Sequence, residues 1–167
     1  NTTSVNNYYN ITSGTSYAAP HVSGAVALLL NKNPDFSPEQ IKSILVTTSD
    51  VIADEYDQKF DFNTGGAGRL NVTNAYKSEI ILLPHNLIFD LSLQKNSQTK
   101  NIQIESVNQE IDDLDIEFPK SEYVKFEHEL LGNELRINAE LTTSEAIELE
   151  ERIFIKHKDI KHQIPIY

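Results

Sequence analysis

Residues 13–29 read SGTSYAAPHVSGAVALL, a small flexible turn running straight into a long apolar stretch. Ala19, Val22, Val26, Leu29 and Leu30 recur at helical spacing, with Ala18, Ala25 and Ala27 filling the gaps. The spacing predicts a helix over residues 16–31. It is apolar nearly all round, which predicts burial. Pro20 falls within the first turn, where a missing N–H costs little. Gly24 inside the run costs about 1 kcal/mol against alanine, so it points to close packing on another element. The turn sets Ser16 at the helix N-terminus, where unpaired N–H groups and the positive end of the helix dipole lie. Two roles fit a serine there. It can cap the helix, the commoner role. It can also be a nucleophile whose own backbone N–H meets the oxyanion formed when its oxygen attacks a carbonyl. The small Gly14, Ala18 and Ala19 leave room for a substrate and a base.

Further along, Ser37, Pro38 and Gln40 form the start of a second helix: an N-cap, a proline at the first helical position and a capping box. Ile41, Ile44 and Leu45 are its apolar stripe. The stretch from Asn63 to Gly68 is turn-rich, and a short helix is expected over residues 72–77. From about Ile80 the pattern changes to alternation of apolar and polar residues, with many Glu, Asp and Lys. A boundary is therefore expected near Ser78–Pro84, dividing the chain into residues 1–79 and 80–167. Strands are expected around 87–93, 102–105, 114–118, 124–127, 135–138, 147–155 and 160–166, separated by turns such as Asn96-Ser97 and Gly132-Asn133. Short strands at this density suggest an immunoglobulin-like or fibronectin-III-like sandwich. The expected fold class is thus α+β, a helical part followed by an all-β part.

Composition narrows the partners. The 167 residues carry a net charge of −11, which argues against nucleic acid or an anionic membrane. There is no Cys, so disulfides, thiolate catalysis and zinc–thiolate sites are excluded. No apolar run reaches the roughly 18 residues that a membrane span needs, and no signal peptide is visible. The chain has no Met, which fits a processed product or a piece of a longer protein.

The string Gly14-Thr15-Ser16-Tyr17-Ala18-Ala19-Pro20-His21-Val22-Ser23-Gly24 resembles the nucleophile motif of the subtilisin-like serine proteases (subtilases, peptidase family S8) at every fixed position. Ala27-Leu28-Leu29, Asn33-Pro34 and residues 37–47 fill the places the family gives to the end of that helix, a turn and a second helix. Gly66-Ala67-Gly68-Arg69-Leu70-Asn71 and Ala75 resemble its closing segment. The resemblance covers residues 1–78. It implies the C-terminal part of an α/β catalytic domain, with the following sandwich as a second module. It also implies an endopeptidase acting on proteins or peptides, placed outside the cell or at its surface.

By that resemblance Ser16 is the catalytic nucleophile and its backbone N–H an oxyanion donor. The family's triad runs Asp, His, Ser in chain order. The residues before Ser16 contain neither Asp nor His. The base, its orienting acid and the side-chain oxyanion Asn are therefore expected upstream, in the rest of the catalytic domain. The chain alone is expected to be inactive. The helix carrying Ser16 is expected to self-associate, to be disordered before about Val22, or to bind that missing part. The alternative is a non-catalytic homologue or a binding module acting through the sandwich.

Other candidates point to simpler roles. His21 lies five residues after Ser16, about 140° round a helix, and is read as structural. His85, His128, His157 and His162 are read as surface residues. Asp50, Asp54, Glu55 and Asp57, and likewise Asp112, Asp113 and Asp115, are read as solvated acidic loops. Neither spacing is that of a calcium loop, so no metal or cofactor is assigned here, although the family resemblance allows calcium in the parent. The sequons at Asn1, Asn10 and Asn71 carry little weight.

Overall fold

Ser37 starts the second helix as its sequence dictates. Its hydroxyl accepts the Gln40 N–H, and the Gln40 side chain accepts the Ser37 N–H, closing a capping box ahead of α2 (Pro38–Thr47). α1 (Thr15–Lys32) precedes it, and α3 (Phe62–Gly65) and α4 (Val72–Lys77) follow. The computed structural model describes residues 3–4, 10–107, 111, 113–145 and 147–167. It divides into two compact units, Asn1–Phe36 and Ser37–Tyr167.

The first unit holds α1 and a two-residue antiparallel pair, β1 (Thr3–Ser4) with β2 (Asn10–Ile11). The helix spans the expected residues but differs from expectation in two ways. Only Ala25 and Leu29 are buried along it, while Tyr17, Val22, Leu28 and Leu30 are exposed. A Cβ at Gly24 would meet no atom within 4 Å, so no close packing explains that glycine here.

The second unit is built on seven antiparallel strands in two sheets. β3 (Ile80–Leu83), β4 (Ser97–Ser106), β7 (Glu134–Leu141) and β6 (Val124–Leu131) lie in that order in one sheet. β5 (Leu114–Glu117), β8 (Glu151–His157) and β9 (Ile160–Ile166) form the other. Register follows the apolar alternation. Leu82 faces Ile104, Ile102 faces Leu135, and Ile153 faces Ile164. These residues join Ile80, Leu87, Ile137, Ile155 and Ile166 in one core shared by both sheets. Each fully buried isoleucine contributes about 2–3 kcal/mol of transfer free energy.

Two strand boundaries move. The first strand is Ile80–Leu83, not residues 87–93. Leu87 instead makes a single parallel bridge to Ile166, and Phe89 N–H donates to the Tyr167 carbonyl. Residues 147–149 form no strand, and β8 begins at Glu151. Phe62–Gly65, expected as loop, is a single helical turn because the Asp61 carboxylate caps it, accepting from Thr64 N–H at 2.6 Å.

The compact division also differs from the boundary expected between residues 79 and 80. α2 packs along β3 and reaches β9, the two edge strands on one side of the sandwich. Ser43 Oγ donates to the Leu82 carbonyl at 2.6 Å. The segment after α2 covers the outer face of β8 and β9. There Gln163 Nε2 donates to the carbonyls of Ser49 (2.9 Å) and Ala67 (2.6 Å). The Arg152 guanidinium lies 4.3 Å from the Phe62 ring centroid and donates to Gln163 Oε1 at 2.9 Å. Phe62 also packs on Tyr167, with centroids 4.8 Å apart. Strand patterning does begin at Ile80, but α2, α3 and α4 before it are part of the same compact unit.

Candidate active site

α1 begins at Thr15, with Gly14 as its N-cap at φ 150°, ψ 154°. That conformation suits glycine, and no side chain makes a capping bond. Ser16 is therefore the second helical residue and does not cap the helix. It is exposed. The first intrahelical bonds run from Tyr17 N–H and Ala18 N–H to the Gly14 carbonyl, at 3.0 and 3.2 Å. The Ser16 N–H thus lies in the first turn, ahead of the helical ladder, where helix geometry supplies no acceptor.

Pro20 is the sixth helical residue, one turn later than expected. Its place has a local consequence. A helical carbonyl is normally met by the N–H four residues on, and proline has none. The residue four before Pro20 is Ser16, so the Ser16 carbonyl loses its helical donor. The sequence opens the helix at the residue that the motif singles out.

His21 does not turn toward Ser16. Its Nδ1–H donates to the Tyr17 carbonyl at 2.7 Å, which holds the ring against its own helix. This fits its reading as a structural residue. Ser23 Oγ donates back to the Ala19 carbonyl at 3.3 Å.

The remaining candidates separate. Asp50 pairs with Arg69 at 3.0 Å and accepts from Asn71 Nδ2 at 2.9 Å. The bond from Asn71 first, and then Arg69, hold its carboxyl below the usual value. Asp54 accepts the N–H groups of Tyr56 and Gln58, both at 2.9 Å, and so pins a turn. Among the described residues no three acidic or histidine side chains gather to hold a metal ion. Asp112 lies outside them, as does Asn1.

Two histidines were misplaced by the sequence reading. His157 and His162 are buried, not on the surface. Both lie on the core-facing side of the outer sheet, His162 opposite Ile155 in β8. Alternation with Ile160, Ile164 and Ile166 was the available signal, because every second residue of β9 faces the core. His162 Nδ1 stands 3.5 Å from Thr47 Oγ1 of α2, and its Nε2 has no partner. Burial pushes its pKa down to about 4, with the nearby His157 adding to the effect.

The glycines of the Gly66–Asn71 segment have a visible cause. Asp50 and Arg69 exchange backbone hydrogen bonds, both at 2.8 Å. A Cβ on Gly68, at φ 128°, would stand 2.1 Å from the Asp50 carbonyl oxygen. Only glycine fits that approach.

A family model described as "Subtilase family" matches residues 1–77. Over residues 1–77 this chain is similar to the subtilases. The match takes in Ser16, α2, the Gly66–Asn71 segment and α4, and it crosses the compact boundary at Phe36–Ser37. Among relatives, the minor extracellular protease Vpr of Bacillus subtilis is 34% identical over 94 residues, which is 56% of this chain and 12% of that protein. The subtilisin-like protease SBT1.6 of Arabidopsis thaliana is 40% identical over 81 residues, 44% of this chain and 11% of its own length. SBT2.5 of the same plant is 54% identical over 44 residues, 26% of this chain and 5% of that protein. The chain thus spans about one-eighth or less of these relatives. No described helix is long and apolar enough to cross a membrane.

Proposed function

We propose that this chain supplies the nucleophile segment of a subtilisin-like serine endopeptidase, with Ser16 as the catalytic residue. The observation that carries this reading is the placement of the Ser16 motif. An exposed serine in the first turn of α1, with its own N–H ahead of the helical ladder, suits attack on a carbonyl. The Ser16 oxygen adds to the substrate carbonyl while an imidazole from elsewhere in the protein takes its proton. The resulting oxyanion is met by the Ser16 N–H. The imidazole then returns the proton to the leaving amine, and water hydrolyses the acyl-enzyme. The base and the acid that orients it belong to the rest of the catalytic domain, as do most of the substrate contacts. The exposed apolar residues of α1 are its docking face for that part. By analogy with the relative named extracellular, the protein works outside the cell.

The same reading makes residues 80–167 a non-catalytic sandwich of the immunoglobulin-like class. Support comes from the strand order β3-β4-β7-β6 and β5-β8-β9. Renamed A to G in chain order, these strands give sheets ABED and CFG, the constant-type immunoglobulin arrangement.

A fluorophosphonate probe tests the catalytic claim. The whole parent protein is expected to be labelled on Ser16 and to cleave a peptide p-nitroanilide, with both lost in Ser16→Ala. The 167-residue chain alone is expected to show neither. Labelling of the parent that survives Ser16→Ala, or turnover by the isolated chain, overturns the assignment.

A further inference from the structure

One end of the sandwich carries a pocket of about 630 Å³ that is partly open to solvent. It belongs wholly to residues 37–167 and uses nothing from the Ser16 segment. Its floor is Ala139 of β7 and Ile166 of β9, both buried. Phe89, Phe126 and Leu149 form walls, the two phenylalanine rings meeting edge to face with centroids 6.3 Å apart. The volume and this aromatic, aliphatic lining are those of small-molecule sites.

The polar side of the cavity has one sign of charge. Glu145 and Glu148 stand exposed on its lining, and no Lys or Arg lines it among the described residues. Glu150 also lines it, but its carboxylate already accepts the Phe62 N–H at 2.8 Å. Two free carboxylates beside an apolar, aromatic interior favour a positive group that stays near water while its body is buried. The net charge of −11 draws cations in the same direction. We propose that this cavity binds a small amphiphile, an apolar or aromatic body ending in a single cation.

The test is calorimetric titration of the 167-residue chain with dodecylammonium, dodecyl maltoside and dodecyl sulfate, each below its micelle concentration. Dodecylammonium is expected to bind saturably at one per chain, about tenfold tighter than the neutral maltoside, with the sulfate weakest. The exposed double variant Glu145→Gln/Glu148→Gln should fold normally and bring ammonium and maltoside to equal affinity. Ala139→Phe should abolish binding of all three by filling the floor. Leu149→Trp, at a half-buried wall in a chain without tryptophan, should weaken binding and report it by fluorescence even where Ala139→Phe does not fold. The proposal is overturned by absence of saturable binding, by sulfate binding as tightly as ammonium, or by ammonium binding unchanged in the glutamine double variant or in Leu149→Trp.

Discussion

Gln163 holds Ser49 at two points: its Nε2 donates to the Ser49 carbonyl at 2.9 Å and lies 2.7 Å from the Ser49 hydroxyl. The same nitrogen reaches the Ala67 carbonyl, and Gln163 Oε1 accepts from Arg152. One buried amide therefore ties the segment after α2 to the outer face of β9. Replacing Gln163 by Leu strands those carbonyls and the Arg152 N–H away from water. We expect a loss of about 2–3 kcal/mol, read from urea unfolding of the whole chain. A loss below about 0.5 kcal/mol would mean that water reaches this seam.

Because α2 and residues 49–68 pack on the sheets, residues 37–167 should unfold in one cooperative transition. A chain of residues 80–167 should melt lower and bind a hydrophobic dye, because the faces beneath α2 and Phe62 are uncovered. Differential scanning calorimetry decides it. Equal melting temperatures for the two chains would restore the boundary at residues 79–80 as a thermodynamic one.

His162 gives the fold an acid limit. Its folded pKa of about 4 lies below the ordinary value near 6.5, so between the two the unfolded chain binds the extra proton. Stability is full above about pH 6.5 and falls as the pH drops toward 4. The loss at pH 5 is about 2 kcal/mol by linkage. His85 is lowered too, by burial first and Lys42 second, and acts with the same sign. The Thr47 hydroxyl and the imidazole of His157 are the polar neighbours of the ring, and neither offers a negative charge to offset the proton. Urea titrations at pH 7.5 and pH 5 check this, and His162→Leu should remove most of the difference. A difference unchanged in that variant would assign the acid sensitivity to other groups.

Gly68→Ala should be severe, at about 3 kcal/mol or more. The added Cβ meets the Asp50 carbonyl at 2.1 Å in a conformation that already disfavours side chains. Gly66→Ala, at φ 55° and ψ −143° with no atom near its Cβ, should cost about 2 kcal/mol from backbone strain alone. Thermal melts of the two variants compare the effects directly. Similar losses would mean that backbone conformation, not the close approach, sets the cost at Gly68.

What could be read from the sequence was what local chemistry dictates. The capping box at Ser37, the helix over residues 72–77 and the alternating strands around 102–105 and 135–138 depend on near neighbours, and each lies where the pattern put it. Ser16 stands out by its motif alone, and the structure adds its place one turn ahead of Pro20. The errors come from distant partners. Residues 87–93 alternate like a strand, yet among them only Leu87 and Phe89 make backbone bonds to another strand or its end, at Pro165 and Tyr167. α1 is apolar, but apolarity states a need for burial and does not supply the surface. The packing of α2 on β3, and of the segment after α2 on β8 and β9, uses Ser43, Gln163 and Arg152, polar residues whose partners lie far away in sequence and which carry no period.

α2 also has a bearing on solubility. A strand at the edge of a sheet carries a row of unpaired N–H and C=O groups that can template another chain. On one side of the sandwich α2 lies against both edge strands, and Leu87–Phe89 occupy part of the β9 edge. On the other side, β6 pairs only with β7 among the described residues, and its exposed Lys125, Glu127 and Glu129 discourage a neighbour from adding on. The β3–β9 side has no comparable run of charge: its strands read IILL and IKHQIPI. A change that lifts α2 away would leave the native core in place and expose two apolar edges, turning the folded chain into a unit that can polymerise by strand addition.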